Sequence, residues 1–212
     1  ADVSGYTLFI IASVILSLSF APILLTVTPA PPFETTKPMG LKNLYKASPL
    51  GVVGLFILGA IFGAIFGMTA IYGSEIGMSV KEISIFVATI YFGGLLFQMP
   101  IGWLSDRIDR RFLIIVVSTI GGFCSILLFV ISYNYVVYLV FMFFIGGMVN
   151  PLYSLFIAYT NDFLEHDDMA AAAGGLVFIN GLGAIIGPLA VGFLMSNFGP
   201  DAFLIYLGGI LI

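Results

Sequence analysis

Long apolar runs separated by short polar breaks fill the chain. The runs are 4–27, 50–73, 82–104, 112–132, 136–160 and 169–196, and a seventh begins near 202. Each complete run approaches or exceeds the ~20 residues a helix needs to cross a hydrocarbon core of ~30 Å. Hydrophobicity within them is continuous and not alternating, so the pattern predicts membrane helices and not the strands of a barrel. The breaks carry helix-end signals. Ser48-Pro49 fits an N-cap followed by proline at the first helical position. Ser79 and Glu82 have the spacing of a capping box. Asp109 is placed to cap the next helix, Asp167 and Asp168 precede another start where negative charge suits the helix dipole, and Gly199-Pro200-Asp201 marks the last turn.

Composition agrees. The chain is 60% hydrophobic and 8% charged, whereas a soluble domain carries about 25% charged residues. Its surroundings are therefore lipid. The net charge of −4 rests on few charges, and no basic patch exists for nucleic acid. Cys124 is the single cysteine and lies inside an apolar run, so there is no disulfide framework. Ala1-Asp2-Val3 has neither methionine nor a basic stretch, and Ile210-Leu211-Ile212 ends within an apolar run. Both ends read as cut, and the chain is expected to be a fragment of a larger membrane protein.

The basic residues orient the helices. Lys37, Lys42 and Lys46 follow the first run, and Arg107, Arg110 and Arg111 follow the third; of the seven basic residues only Lys81 falls on the opposite side. The positive side is expected to be cytoplasmic, which puts 28–48, 105–111 and 161–168 inside the cell. The stretch 28–48 holds four of the ten prolines, at 29, 31, 32 and 38, and reads as a cytoplasmic connector. Leu41–Lys46 within it has the makings of a short surface helix.

Five charges in six positions, Asp106 to Arg111, interrupt this oily chain. With Gly102 they form Gly102-x-x-x-Asp106-Arg107-x-Asp109-Arg110-Arg111. This resembles the signature loop of the major facilitator superfamily, G-x-x-x-D-R-x-G-R-R, with Asp109 where the family usually has glycine. A non-glycine there puts the usual turn geometry in question. In that family the loop joins the second and third helices of each six-helix half. Its place here, after a long connector, matches the loop between the eighth and ninth helices. A second pattern, Gly174-(x8)-Gly183-x-x-x-Gly187-Pro188, is similar to the glycine-rich antiporter motif of the family's drug transporters. That motif belongs to the fifth helix, and this segment corresponds to the eleventh, its equivalent in the other half. Thr160-Asn161-Asp162 followed by Ala170–Gly175 is also similar to drug-efflux-like and sugar-efflux-like members.

The resemblance implies an all-α polytopic membrane protein. Residues 1–27 are the last helix of the N-terminal half, 28–48 the central connector, and 49–212 the C-terminal six-helix half with its last helix truncated. That half is built of two three-helix inverted repeats. The implied function is ion- or proton-coupled efflux of a small molecule by alternating access, in a bacterial inner membrane. Partners are the bilayer, the missing N-terminal half and an unidentified substrate, with no cofactor and no metal. By resemblance, Asp106 with Arg107 or Arg110, together with Arg111, forms a latch that holds one access state, and Gly102 permits close helix approach.

Other positions read from their own chemistry. Gly59, Gly63 and Gly67 recur every fourth residue and suit close packing by a neighbouring helix, as do Gly183, Gly187 and Pro188. No ionisable residue lies near the centre of a complete run, so a coupling carboxylate is expected in the missing half. Asn150, Tyr153 and Asn180 are polar groups toward the middle of their runs, and Gln98 lies nearer the cytoplasmic end of its own. They serve either as cavity ligands or as interhelical hydrogen bonds worth about 0.6 kcal/mol each; for Gln98 the structural role is favoured. No catalytic motif is present. Two other classes stay open: a polytopic membrane enzyme, for which the acidic turn Asp162, Glu165, His166, Asp167, Asp168 is the one metal-binding cluster on offer, and a non-transporting sensor.

Overall fold

The computed structural model describes residues 6–25, 39–131 and 134–212, and every regular element among them is a helix. The chain forms two units, 1–35 and 36–212. In the first, α1 (Thr7–Ser19) and α2 (Ala21–Leu24) replace the single span expected over 4–27, whose ends at 4–5 and 26–27 lie outside the described residues. Pro22 supplies the reason. It has no N–H to give the Leu18 carbonyl, and it fits the first turn of a new helix. Phe20 closes α1 with a tight bond to the Ser17 carbonyl at 3.3 Å. The 13 residues of α1 reach only about 20 Å.

The second unit holds α3 (Leu41–Ala47), α4 (Pro49–Glu75), α5 (Val80–Ser105), α6 (Arg110–Ile131), α7 (Tyr135–Asn161), α8 (His166–Phe198) and α9 (Ala202–Leu211). Among the described residues, the five helices α4 to α8 are long and apolar enough to cross a membrane. They match the five complete runs expected after the first, each starting one to three residues earlier. α3 is the predicted surface helix: Leu44 is fully buried while Lys42 and Lys46 are exposed. The rest of the connector, 28–38 with Lys37 and its prolines, lies outside the described residues, as does position 132.

Local chemistry sets the ends. The Gly51 N–H donates to Ser48 Oγ at 3.3 Å, with Pro49 in the first helical position. The Ser79–Glu82 capping box is complete, the Ser79 N–H donating to the Glu82 carboxylate at 2.8 Å. Asp109 accepts from the Phe112 N–H at 3.0 Å. α8 begins earlier than expected, so Asp167 and Asp168 sit inside its first turn and not ahead of it. The dipole argument still holds there. Gly199, with φ of 90°, ends α8 in a conformation that favours glycine.

Helices α4 and α8 lie along each other, as do α5 and α7; α6 packs on α7 and α9, and α4 also meets α7. Exchanging α4–α6 for α7–α9 maps the α4–α8 pair onto the α5–α7 pair and leaves α6–α9 and α4–α7 in place, which is the pattern of two three-helix repeats. Small residues make the long pairs possible. A Cβ on Gly59 would strike the Asn180 carbonyl, and one on Gly63 the Ala184 carbonyl. From the other side, Gly183 faces the Phe56 carbonyl and Gly187 the Ala60 carbonyl. The two glycine patterns seen in the sequence are thus partners of each other. The α5–α7 pair repeats the device, with Gly93 on the Phe143 carbonyl and Gly146 on the Ile90 carbonyl.

The helix ends differ in how they are held. At the end bearing Glu75, Val80, Tyr135 and Ala202, Tyr72 is wholly buried against Phe203 (4.9 Å, stacked), Phe86 (6.2 Å) and Tyr138 (6.3 Å). Its hydroxyl donates to Asp201 at 3.4 Å. The other end carries Lys42, Lys46, Arg107, Arg110 and Arg111, and polar contacts hold it.

Candidate functional site

The charged loop between α5 and α6 stands beside the turn between α7 and α8. Arg110 Nη1 donates to Asp162 Oδ1, and Arg110 Nη2 lies 3.5 Å from Asp106 Oδ1. Its Nε donates to Ser105 Oγ at 3.2 Å. One guanidinium therefore ties the end of α5, the start of α6 and the end of α7 together. A planar fork of five donors can do this, where a lysine could not.

Arg107 does not join this network. It stacks over the Trp103 ring at 3.7 Å and donates to the Trp103 carbonyl at 3.0 Å, one helical turn back on its own chain. Of the two partners left open for Asp106, Arg110 is the one beside it, while Arg107 takes the aromatic face one turn away. Arg111 is exposed and makes no ion pair among the described residues. Asp109 caps α6, and no non-glycine residue among those described has positive φ. The turn therefore closes with ordinary backbone despite the missing glycine. Gly102 is exposed, and a Cβ added to it would meet nothing within 4 Å, so the close approach expected of it is not made within this unit.

The sequence did not single out Asp162 as the partner of Arg110. The signal lay in orientation: 105–111 and 161–168 belong on one membrane side, and the acidic turn has no cation of its own. Ser48 reinforces the same end, its hydroxyl standing 3.5 Å from Thr160 Oγ1.

The mid-helix polar groups separate. Asn180 Nδ2 donates to the Leu55 carbonyl at 2.9 Å, from α8 to α4. Asn150 Nδ2 donates to Gly146 in its own helix at 2.8 Å, with its side chain against Gly94 of α5. Both amides are engaged by protein. Gln98 donates to Ser154 at 3.1 Å, bridging α5 and α7 on an exposed face. Gln98 and Ser154 line a cleft of about 240 Å³ with Gly102, Ser105 and Asp106, so the charged loop and this polar pair share one opening. Tyr153 lies against Phe62, ring centroids 6.4 Å apart. A Cβ added to Gly67 would meet only the Pro188 ring, at 3.4 Å, and one added to Gly63 would also meet that ring.

The acidic turn does not assemble a metal site: among the described residues no group of three or more His, Cys, Asp or Glu is placed to hold an ion. Asp162 is instead the partner of Arg110.

The family model of the Major Facilitator Superfamily matches residues 50–212, the stretch that forms α4 to α9. The uncharacterized MFS-type transporter YfkF of Bacillus subtilis is 32% identical over 173 residues, 79% of this chain and 43% of that protein. The uncharacterized MFS-type transporter YcaD of Escherichia coli is 27% identical over 161 residues, 76% of this chain and 41% of that protein. The chain thus spans about two fifths of the length of these relatives. With its membrane-length helices, its two three-helix repeats and this match, the chain is an integral membrane protein and belongs to the Major Facilitator Superfamily.

Proposed function

We propose that these residues belong to a secondary active transporter that moves a small molecule by alternating access, in the efflux direction and driven by an ion or proton gradient. Residues 1–27 then end the N-terminal half, 28–48 form the central connector and 49–212 the C-terminal half. The stretches 28–48, 105–111 and 161–168 face the cytoplasm of a bacterial inner membrane, as the basic residues favour. The efflux direction rests on the likeness of Thr160–Asp162 followed by Ala170–Gly175 to drug-efflux-like and sugar-efflux-like members.

The observation that carries the reading is the Arg110 network with Asp106 and Asp162. It is a partly exposed set of ion pairs joining separate helices at one end, and such contacts are cheap to break and remake. The opposite end is closed by packed aromatic rings. Asp106, Arg110 and Asp162 are the latch; Gly102 and Arg111, exposed on this unit, face the other half. Charged side chains of α4 to α8 occur only near the helix ends, so the coupling carboxylate belongs to the N-terminal half.

Single cysteines at the two ends of the full-length protein in proteoliposomes test this without a known substrate. Neutralising Asp106 and Asp162 should raise labelling at the loop end and lower it at the opposite end. Labelling that is unchanged at both ends, or that rises at both, refutes alternating access through this latch.

A further inference from the structure

Four aromatic side chains form a continuous row across three helices of the second unit. Tyr153 of α7 meets Phe62 of α4 at 6.4 Å, Phe62 stacks on Phe66 at 5.2 Å, and Phe66 stacks on Tyr91 of α5 at 5.7 Å with the rings 5° from parallel. Phe66 and Tyr91 are 52% and 51% exposed. Each of the four stands at least eight residues from either end of its helix, which is roughly 12 Å. The row therefore lies deep within the bilayer's thickness.

Two observations argue that this face is not a lipid face. The hydroxyls of Tyr72, Tyr135 and Tyr206 donate to Asp201, to the Glu82 carbonyl and to the Ala60 carbonyl. Those of Tyr91 and Tyr153 have no hydrogen-bond partner among the described residues. A phenol held at mid-depth against hydrocarbon forfeits its hydrogen bond, whereas one facing a water-reachable cavity keeps it. Second, Gln98 follows Tyr91 by seven residues, two helical turns along the same face, and its amide meets Ser154, the neighbour of Tyr153. Aromatic faces, phenols and an amide–hydroxyl pair thus succeed one another along this surface, and the charge nearest the pair, Asp106, lines the cleft at its loop end.

We infer that Tyr153, Phe62, Phe66 and Tyr91 form one wall of a binding site for a flat, uncharged aromatic solute. The solute stacks on the exposed rings, and its polar group bonds to the phenols or to the Gln98–Ser154 pair. Stacked rings select for a π-face over saturated apolar groups of the same size. The inference rests on the transporter reading in one respect: the face opposite the row must be a cavity between two halves.

The test is binding of 1-hydroxypyrene, followed by fluorescence anisotropy, to full-length protein in nanodiscs, with empty nanodiscs as the baseline. Binding above the baseline is expected. 2-Naphthol should compete and decahydro-2-naphthol should not. Phe66→Leu and Tyr91→Leu keep an apolar side chain and remove a ring, and each should weaken binding roughly fivefold, as the loss of one aromatic contact predicts. Tyr91→Phe keeps the ring and should retain most of the affinity. Both sites are half exposed, so these changes leave the packed core alone. Binding no greater than in empty discs, equal competition by the saturated alcohol, or indifference to both leucine variants overturns the inference. If the two ends alternate in the labelling experiment while hydroxypyrene fails to bind, the site falls and the transporter reading stands. Ring-dependent binding without alternation leaves the site standing and removes the transporter reading.

Discussion

Arg110 binds Asp162, which is remote in sequence, more closely than Asp106, which precedes it by one helical turn at 3.5 Å. The long-range pair is the one that joins separate helices, so it is the one whose loss lets them part. Asp162→Asn should therefore shift end-labelling of the full-length protein more than Asp106→Asn. The expected size is about 0.5–1 kcal/mol, the upper range for a partly exposed pair, or a two- to fivefold change in labelling ratio. Exchanging the charges, Arg110→Asp with Asp162→Arg, should restore part of it. A larger effect at Asp106 would contradict this order.

Gly59 and Gly183 lie against carbonyls of the facing helix, and backbone cannot step aside as a flexible side chain can. Gly59→Ala and Gly183→Ala should each destabilise the protein by about 2 kcal/mol, read as a lower midpoint in denaturant titration. Gly174 and Gly181 face open space. Alanine there should be neutral or stabilising by up to about 1 kcal/mol. Equal responses at all four positions would mean that helix propensity, not interhelical approach, governs these glycines.

Asn180 joins two helices and Asn150 bonds within its own. Asn180→Leu should thus cost about 0.6–1.7 kcal/mol, the range for interhelical polar contacts in membranes, and Asn150→Leu less. Unfolding midpoints order the two. If Asn180→Leu left stability untouched, the bond to the Leu55 carbonyl would carry no structural weight.

Tyr72 fills the junction of α4, α5, α7 and α9 with no exposed surface. Tyr72→Ala should cost about 3–5 kcal/mol through the cavity it leaves. Tyr72→Phe keeps the packing and loses one hydroxyl bond, worth about 1 kcal/mol. Denaturation of the two variants separates packing from the Asp201 contact.

Much of the fold was legible because the bilayer simplifies the code. Apolar runs gave α4 to α8, and short-range capping chemistry at Ser48, Ser79 and Asp109 fixed their starts to within a few residues. In the first run the sequence did not mark the break at Phe20, where Pro22 withholds an N–H and α1 gives way to α2. The site was legible only in part. Sequence spacing names residues that share a face but not those that meet across helices, so Asp162 was not paired with Arg110, nor Gly59 with the α8 backbone. Asn150 and Asn180 looked alike as isolated amides, and packing alone assigns one to its own helix and the other to its neighbour. The row from Tyr153 to Tyr91 was hidden for the same reason: its members come from three helices, and single phenylalanines in an oily chain carry no periodic mark.

The stacking of Arg107 on Trp103 has a practical side. Trp103 is the single tryptophan of this chain, it is 57% exposed, and it sits one turn from the Arg110 ion pairs. An intrinsic fluorophore therefore sits on the loop proposed as the latch. Once tryptophans elsewhere in the full-length protein are replaced, the emission colour of this indole becomes an unlabelled optical gauge of the loop, readable in real time and in native lipid.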